Sequence, residues 1–186
     1  MADKLAGKTA IAAAIRIRPI QPDDFSDVRY VHAAAFRSHA RPFYTPEELD
    51  AFEQMVRSPG YLDQLMADAI LGAWFDHKLI ATAAWHASRS NAQIGRISAL
   101  YVQPLFARIG VGSHMLQAIE TAAAISNCNL MSVRAPLNSE SFFMANDYEI
   151  SGRGTAPIDQ ASGLDIVFLR KRLPARKPSS HSVCYN

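Results

Sequence analysis

The spacing of hydrophobic and polar positions changes several times along the chain, and each change marks an element. Ile15-Arg16-Ile17-Arg18-Pro19-Ile20 alternates apolar and polar side chains, which predicts a half-buried first strand. Pro22-Asp23-Asp24 opens a helix with acidic residues in its first turn, and Phe25, Val28, His32, Ala35 and Phe36 trace one face of it. Residues 38–44 show no period and are expected to be a loop. Thr45-Pro46-Glu47-Glu48 predicts a second helix: a capping threonine, proline at the first position, and a glutamate that closes a capping box. This helix turns Leu49, Phe52 and Val56 inward and ends before Ser58-Pro59-Gly60, with a further helical turn over 61–67.

Strands are expected over 70–75 and 79–86, joined by Asp76-His77-Lys78 as a tight turn. A second turn, over 88–93, leads into Ile97-Ser98-Ala99-Leu100-Tyr101-Val102, an apolar, β-prone run stopped by Pro104. Val111, Met115, Ile119, Ala122 and Ala123 then recur at helical spacing, which predicts a long amphipathic helix. A fifth strand over 129–133, a short helix over 139–145 and closing strands over 148–152 and 164–169 complete the pattern, with 155–163 as a loop.

Composition narrows the setting. The chain has 186 residues, enough for one domain with a sizeable core. Its net charge of +2, with no basic stripe before the tail, argues against nucleic acid as a partner. No apolar run approaches the ~18 residues of a membrane span. Residues 10–15 are too short an apolar run for a signal peptide and lead straight into Arg-Ile-Arg, so a cytoplasmic location without membrane contact is expected. Cys128 and Cys184 lie far apart in unlike contexts, which predicts neither a disulfide nor a metal site. From Pro174 the chain turns to Ala, Arg, Lys, Pro and Ser, a composition that cannot bury a core. The expected division is a lead-in over 1–14, one domain over 15–173, and a tail over 174–186. That tail is free to lie on a neighbouring copy, which makes a homodimer a candidate assembly.

The chemistry concentrates between the apolar strand and the long helix. Arg108-Ile109-Gly110-Val111-Gly112-Ser113 is a short loop whose glycines reach conformations closed to other residues. Such a turn gathers backbone N–H groups at the positive end of a helix dipole, which is an anion site suited to phosphates. The Rossmann fingerprint requires a third glycine where Met115 stands, and the P-loop requires Gly-Lys-Ser/Thr where the chain has Gly-Val-Gly-Ser, so neither nucleotide motif fits.

With Leu100-Tyr101-Val102-Gln103-Pro104 before it, this loop resembles the pyrophosphate loop of the GNAT N-acetyltransferase superfamily, Gln/Arg-x-x-Gly-x-Gly/Ala. The chain departs from the pattern at Ala107, with the arginine one place later. A second match, Leu137-Asn138-Ser139-Glu140-Ser141-Phe142-Phe143-Met144-Ala145-Asn146-Asp147-Tyr148, resembles the family's Leu-Asn-Ala-x-x-Phe-Tyr-x-x-x-Gly-Phe. Phe143 there replaces a tyrosine and Asp147 a glycine.

The resemblance implies one α/β domain. Its mixed, mostly antiparallel sheet opens in a V between the fourth and fifth strands and carries helices on both faces. It implies acetyl transfer from acetyl-CoA to a primary amine of a small molecule or protein, by direct attack in a ternary complex. Leu100, Tyr101 and Val102 would pair with the pantetheine arm. Arg108, Ile109, Gly110, Val111, Gly112 and Ser113 would bind the pyrophosphate, with Asn138, Ser141, Phe142 and Phe143 beside the cofactor. The Val102 N–H would meet the oxyanion. The family often places a glutamate base on the central strand, but Arg96 and Ser98 stand there. His86 is the substitute base, with a water held by backbone carbonyls as the equal alternative. The missing glutamate and tyrosine leave a non-catalytic acyl-CoA-binding module as the second reading.

Overall fold

The structure, a computed structural model, describes residues 14–67, 70–158 and 163–174. Except for their terminal residues Ala14 and Pro174, the expected lead-in and tail lie outside the described residues. The elements are β1 (Arg16–Pro19), α1 (Phe25–Ala40), α2 (Pro46–Arg57), α3 (Pro59–Ala67), β2 (Ile70–Phe75), β3 (Lys78–Ser88), β4 (Asn91–Val102), α4 (Val111–Ile125), β5 (Leu130–Pro136), α5 (Glu140–Met144), β6 (Glu149–Pro157) and β7 (Gly163–Arg172). Seven strands form one sheet in the order β1-β2-β3-β4-β5-β7-β6. Every neighbouring pair is antiparallel except β4 and β5, which run parallel with α4 as their crossover.

Local chemistry explains most of the boundaries. Thr45 and Glu48 form the expected capping box: Thr45 Oγ1 accepts the Glu48 N–H at 3.3 Å, and the Glu48 carboxylate accepts the Thr45 N–H at 2.7 Å. Asp76 (φ 48°) and His77 (φ 63°) both take the left-handed conformation that a two-residue hairpin turn requires. On one face of the sheet, Val111, Met115, Leu116, Ile119 and Ala123 of α4 pack on Ile80, Met131, Val133, Val167 and Leu169. On the other, Phe36 and Tyr44 join Leu49, Phe52 and Ile166, with Phe36 and Phe52 stacked at 3.8 Å. Val28 and Val31 extend that layer over Ile70 and Leu79. The expected helices on both faces are present.

The structure corrects several boundaries. The segment 38–44 is not all loop, because α1 continues to Ala40, which is fully buried against the α2 layer. β4 begins at Asn91 rather than at Ile97, since residues 91–96 pair with β3 although their first side chains face solvent. β6 and β7 are longer than expected for the same reason: one face is solvated, so the apolar signal is diluted. Among the described residues, no helix is long and apolar enough to cross a membrane.

Candidate active site

The parallel ladder between β4 and β5 is short. It pairs Ile94 to Ile97 with Leu130 to Val133 and stops, while β4 runs on to Val102 and β5 to Pro136. Beyond the stop, β5 follows β7 and β4 follows β3, so the sheet opens into the V between its fourth and fifth strands.

A bulge falls where β4 leaves β5. Thr82 faces Tyr101 and Ala84 faces Ser98, so β4 places Ala99 and Leu100 where β3 has only Ala83. A bulge bends its strand and increases the local twist. Ala99 is left-handed there, at φ 52°, a conformation that costs a non-glycine residue about 1–2 kcal/mol. A buried chain of hydrogen bonds holds it. Thr82 Oγ1 donates to the Ala99 carbonyl at 2.6 Å, which leaves the hydroxyl oxygen to accept from His32 Nε2 at 2.8 Å. His32 Nδ1 then accepts from the Tyr61 hydroxyl at 2.5 Å. This arrangement of protons satisfies all three contacts with a neutral imidazole. Burial alone enforces that state, pushing the His32 pKa down to about 3. The Tyr101 ring lies 4.2 Å from the imidazole, and burial pushes its hydroxyl well above the usual tyrosine value.

The open edge of β4 presents backbone to the V. The Gln103 N–H bonds the Ile80 carbonyl at 2.8 Å, so strand alternation turns the preceding Val102 N–H to the opposite edge, away from β3. After the turn at Pro104–Phe106, Arg108 (φ 61°) and Gly110 (φ 95°) are left-handed, and α4 starts at Val111 with no side chain capping it. A Cβ on Gly110 would meet nothing within 4 Å, so the space before the helix is open. Gly112 answers a different need: a Cβ there would lie 3.1 Å from the Phe142 ring, which brings α5 against the first turn of α4.

These parts border one cleft of about 750 Å³. Leu100, Tyr101, Val102, Arg108, Gly110, Gly112 and Ser113 line it from one side, and Asn138, Ser141, Phe142 and Phe143 from the other. Ile109 and Val111 are not among the lining residues; their side chains pack into the α4 core. Asn138 Oδ1 is buried without a hydrogen-bond partner, an unmet acceptor at the cleft wall. Phe143 is 3% exposed, with its ring edge-on to Phe142 and Tyr148 at 5.2 Å each.

His86 does not line the cleft. It is exposed in the half of β3 that pairs with Arg96, before the strands part, and not beside the opened edge. The imidazole at the cleft belongs to His39, in the last turn of α1. Sequence reasoning missed His39 because it treated that stretch as loop. It also passed over Arg134, the first β5 residue beyond the ladder, and the roles of His32 and Thr82 under the bulge. A helical continuation through Ala40 was the one available signal for His39; nothing in the residue pattern announced the bulge. Among the described residues, two arginines, Arg108 and Arg134, line the cleft, and no aspartate or glutamate does. Among the described residues, no group of His, Cys, Asp and Glu is placed to hold a metal ion.

The opened parallel pair and the uncapped glycine turn define an acyltransferase architecture, and comparison with known proteins agrees. A sequence model described as the acetyltransferase (GNAT) family matches residues 33–144, more than half of the chain, and the protein belongs to that family. No curated protein sequence matches significantly. Among solved structures, a GCN5-related N-acetyltransferase from Rhodopseudomonas palustris superposes with a TM-score of 0.78 at 21% identity, covering 85% of this chain and 95% of that one. The PaiA N-acetyltransferase of Thermoplasma acidophilum, solved with coenzyme A, gives 0.69 at 16% identity, with 86% and 99% covered. An acetyltransferase structure from Salmonella typhimurium with its cofactor acetyl-CoA gives 0.59 at 15% identity, with 88% and 96% covered.

Proposed function

We propose that the protein moves an acetyl group from acetyl-CoA to a primary amine by direct attack in a ternary complex. The observation that carries this reading is the continuity of two donor surfaces. The β4 edge over 99–102, past the ladder with β5, runs through one short turn into the uncapped N-terminus of α4. The first suits a chain of amides and the second a pyrophosphate, and pantetheine joined to a nucleotide has both in that order. The unmet Asn138 Oδ1 is an acceptor for an amide N–H of the same arm.

In the reaction, the amine nitrogen attacks the thioester carbonyl carbon. The Val102 N–H stabilises the oxyanion, the C–S bond breaks, and coenzyme A leaves as thiolate. An amine of pKa about 10.4 must first lose a proton, at about 4–5 kcal/mol near neutral pH, so a base is useful. His39, at the end of the cleft walled by α1, is the side chain that takes this role here; His86 lies outside the cleft. The leaving thiolate needs less help, since a thiol of pKa about 8.5 costs only about 2 kcal/mol to leave ionised near pH 7. Phe143 has no proton to give, and Ser141 or water supplies it.

Release of free coenzyme A thiol across a panel of amines, with mass analysis of the product, tests the reading; thermal protection by acetyl-CoA without turnover of any amine would make the protein a binding module instead. His39→Gln is expected to lower turnover about a hundredfold and to flatten the acid side of the pH–rate profile, while His86→Ala leaves both unchanged. Retention of rate and acid limb in His39→Gln would assign the proton to water. Phe143→Tyr is expected to raise turnover by no more than about thirtyfold at pH 7, and by less at pH 9, since the thiolate then leaves unaided. A gain of a thousandfold would show that the native cleft lacks a working acid and would favour the binding module.

A further inference from the structure

Arg134 stands one residue past Val133, where the β4–β5 ladder ends. Met131, Val133 and Ala135 of β5 are buried in the α4 core, so strand alternation puts Arg134 on the opposite face. That face belongs to α1 and α2. Arg134 is opposite Phe168 of β7, which packs against the cluster containing Phe36, Tyr44 and Phe52. The cleft wall on this face is completed by Ser38, His39, Pro42 and Phe43 at the end of α1. Arg134 is therefore separated by the sheet from the α4 face, and Arg108 is the arginine at the glycine turn.

The charge around Arg134 is unbalanced. It is exposed and makes no hydrogen bond or ion pair with any described residue. Several carboxylates on α2, α5 and β7 have partners of their own: Asp50 and Glu53 pair with Arg37, Glu140 pairs with Arg153, and Asp165 accepts from the Thr155 hydroxyl. Among the described residues, no carboxylate lines the cleft. A site built for a polycationic amine or a lysine-rich segment would be expected to carry acidic residues. This one offers a guanidinium fork on the acceptor side, whose donors match a carboxylate or phosphate.

Resting on the acetyl-transfer reading above, we infer that the acceptor is a small amine that itself carries an anionic group, and that Arg134 binds that anion. The Arg134 contact would hold the molecule while its amine reaches the thioester beside Val102. The chemistry shared by a carboxylate and a phosphate is what the residue recognises.

The test uses paired acceptors at saturating acetyl-CoA: free amino acids against their carboxamides, and amino sugar phosphates against the unphosphorylated sugars. The anionic member of at least one pair is expected to show a kcat/KM higher by roughly ten- to hundredfold. The pair that shows it identifies the anion. Arg134→Ala should erase that preference by raising KM for the anionic member while leaving the neutral member unchanged, and Arg134→Lys should restore part of it. Faster acetylation of neutral amines or polyamines by the wild type would overturn the inference, as would an Arg134→Ala variant that loses both members equally. Thermal protection by acetyl-CoA is measured on the same samples. Its absence in the wild type would count against acetyl transfer itself. Its retention, with turnover of amines but no preference for any anionic member, would overturn only the role of Arg134, and its loss in Arg134→Ala alone would move that residue to the cofactor.

Discussion

Gly110→Val is expected to abolish the thermal protection that acetyl-CoA gives the wild type. A ligand at about a hundred times its dissociation constant adds about 2.7 kcal/mol to the folded state. At about 2–4 °C per kcal/mol for a chain of this length, that is a shift of roughly 5–10 °C. Two features make Gly110 the place to remove it. Its φ of 95° is strained for any side chain, and the space its Cβ would enter is empty of protein atoms, so valine would fill the bed rather than crowd a neighbour. The variant free of ligand should still fold, at a cost on the order of 1–2 kcal/mol for the left-handed residue. Differential scanning fluorimetry with and without acetyl-CoA separates the two effects. A folded variant that keeps the full shift would place the cofactor away from the α4 terminus.

The second large effect is on acid stability and belongs to His32. The imidazole is neutral in the fold down to a pKa of about 3, because its burial disfavours the charged form. In the unfolded chain it takes a proton near pH 6.5. Between those values the unfolded state holds the extra proton, so this contribution to stability is present above the unfolded pKa and is lost as pH falls below it. The groups packed on the ring are the Tyr61 hydroxyl, Thr82 and Tyr101, and none is an acid that could keep an imidazolium in place. The wild type should therefore lose roughly 2–3 kcal/mol from this residue between pH 7 and pH 4.5. His32→Gln keeps an amide donor for Thr82 and cannot titrate, so its stability curve should be flatter over that range. Urea denaturation at several pH values reads both slopes, and equal slopes would mean that His32 is not the acid-sensitive group.

The sequence-derived expectations succeeded where a residue's own chemistry decides its conformation. Thr45 and Glu48 cap a helix by a reciprocal pair of bonds that needs nothing from the rest of the protein. Asp76 and His77 fill a turn between two apolar strands, and Val111, Met115 and Ile119 repeat with the helical period. The glycine turn was legible for the same reason. Features that depend on partners distant in sequence were not. Ala99 is an unlikely residue for a left-handed bulge, and it is bonded there by Thr82 of β3, which is bonded in turn by His32 of α1. Nothing near Arg134 in the sequence says that its neighbour Val133 is the last residue paired with β4. The placement of the two imidazoles was set by register and helix length: β3 carries His86 into the joined part of the sheet, while α1 runs one turn further and puts His39 on the cleft lining.

The opened pair of strands also bears on how the protein behaves with nothing bound. A parted sheet offers unpaired backbone to any passing β-segment, which is how many proteins self-associate or aggregate. Here the part of β4 beyond its ladder with β5 is only five residues, 98–102, and it is not flat, because Ala99 kinks it. Pro104 lies two residues beyond its end, and on the facing side β5 finishes at Pro136, which has no N–H to offer. An invading strand would thus find a short, bent edge stopped by proline on both sides, whereas a thin, flexible arm of amides has only to follow the bend. The geometry that admits a small ligand is the geometry that keeps a second protein chain out.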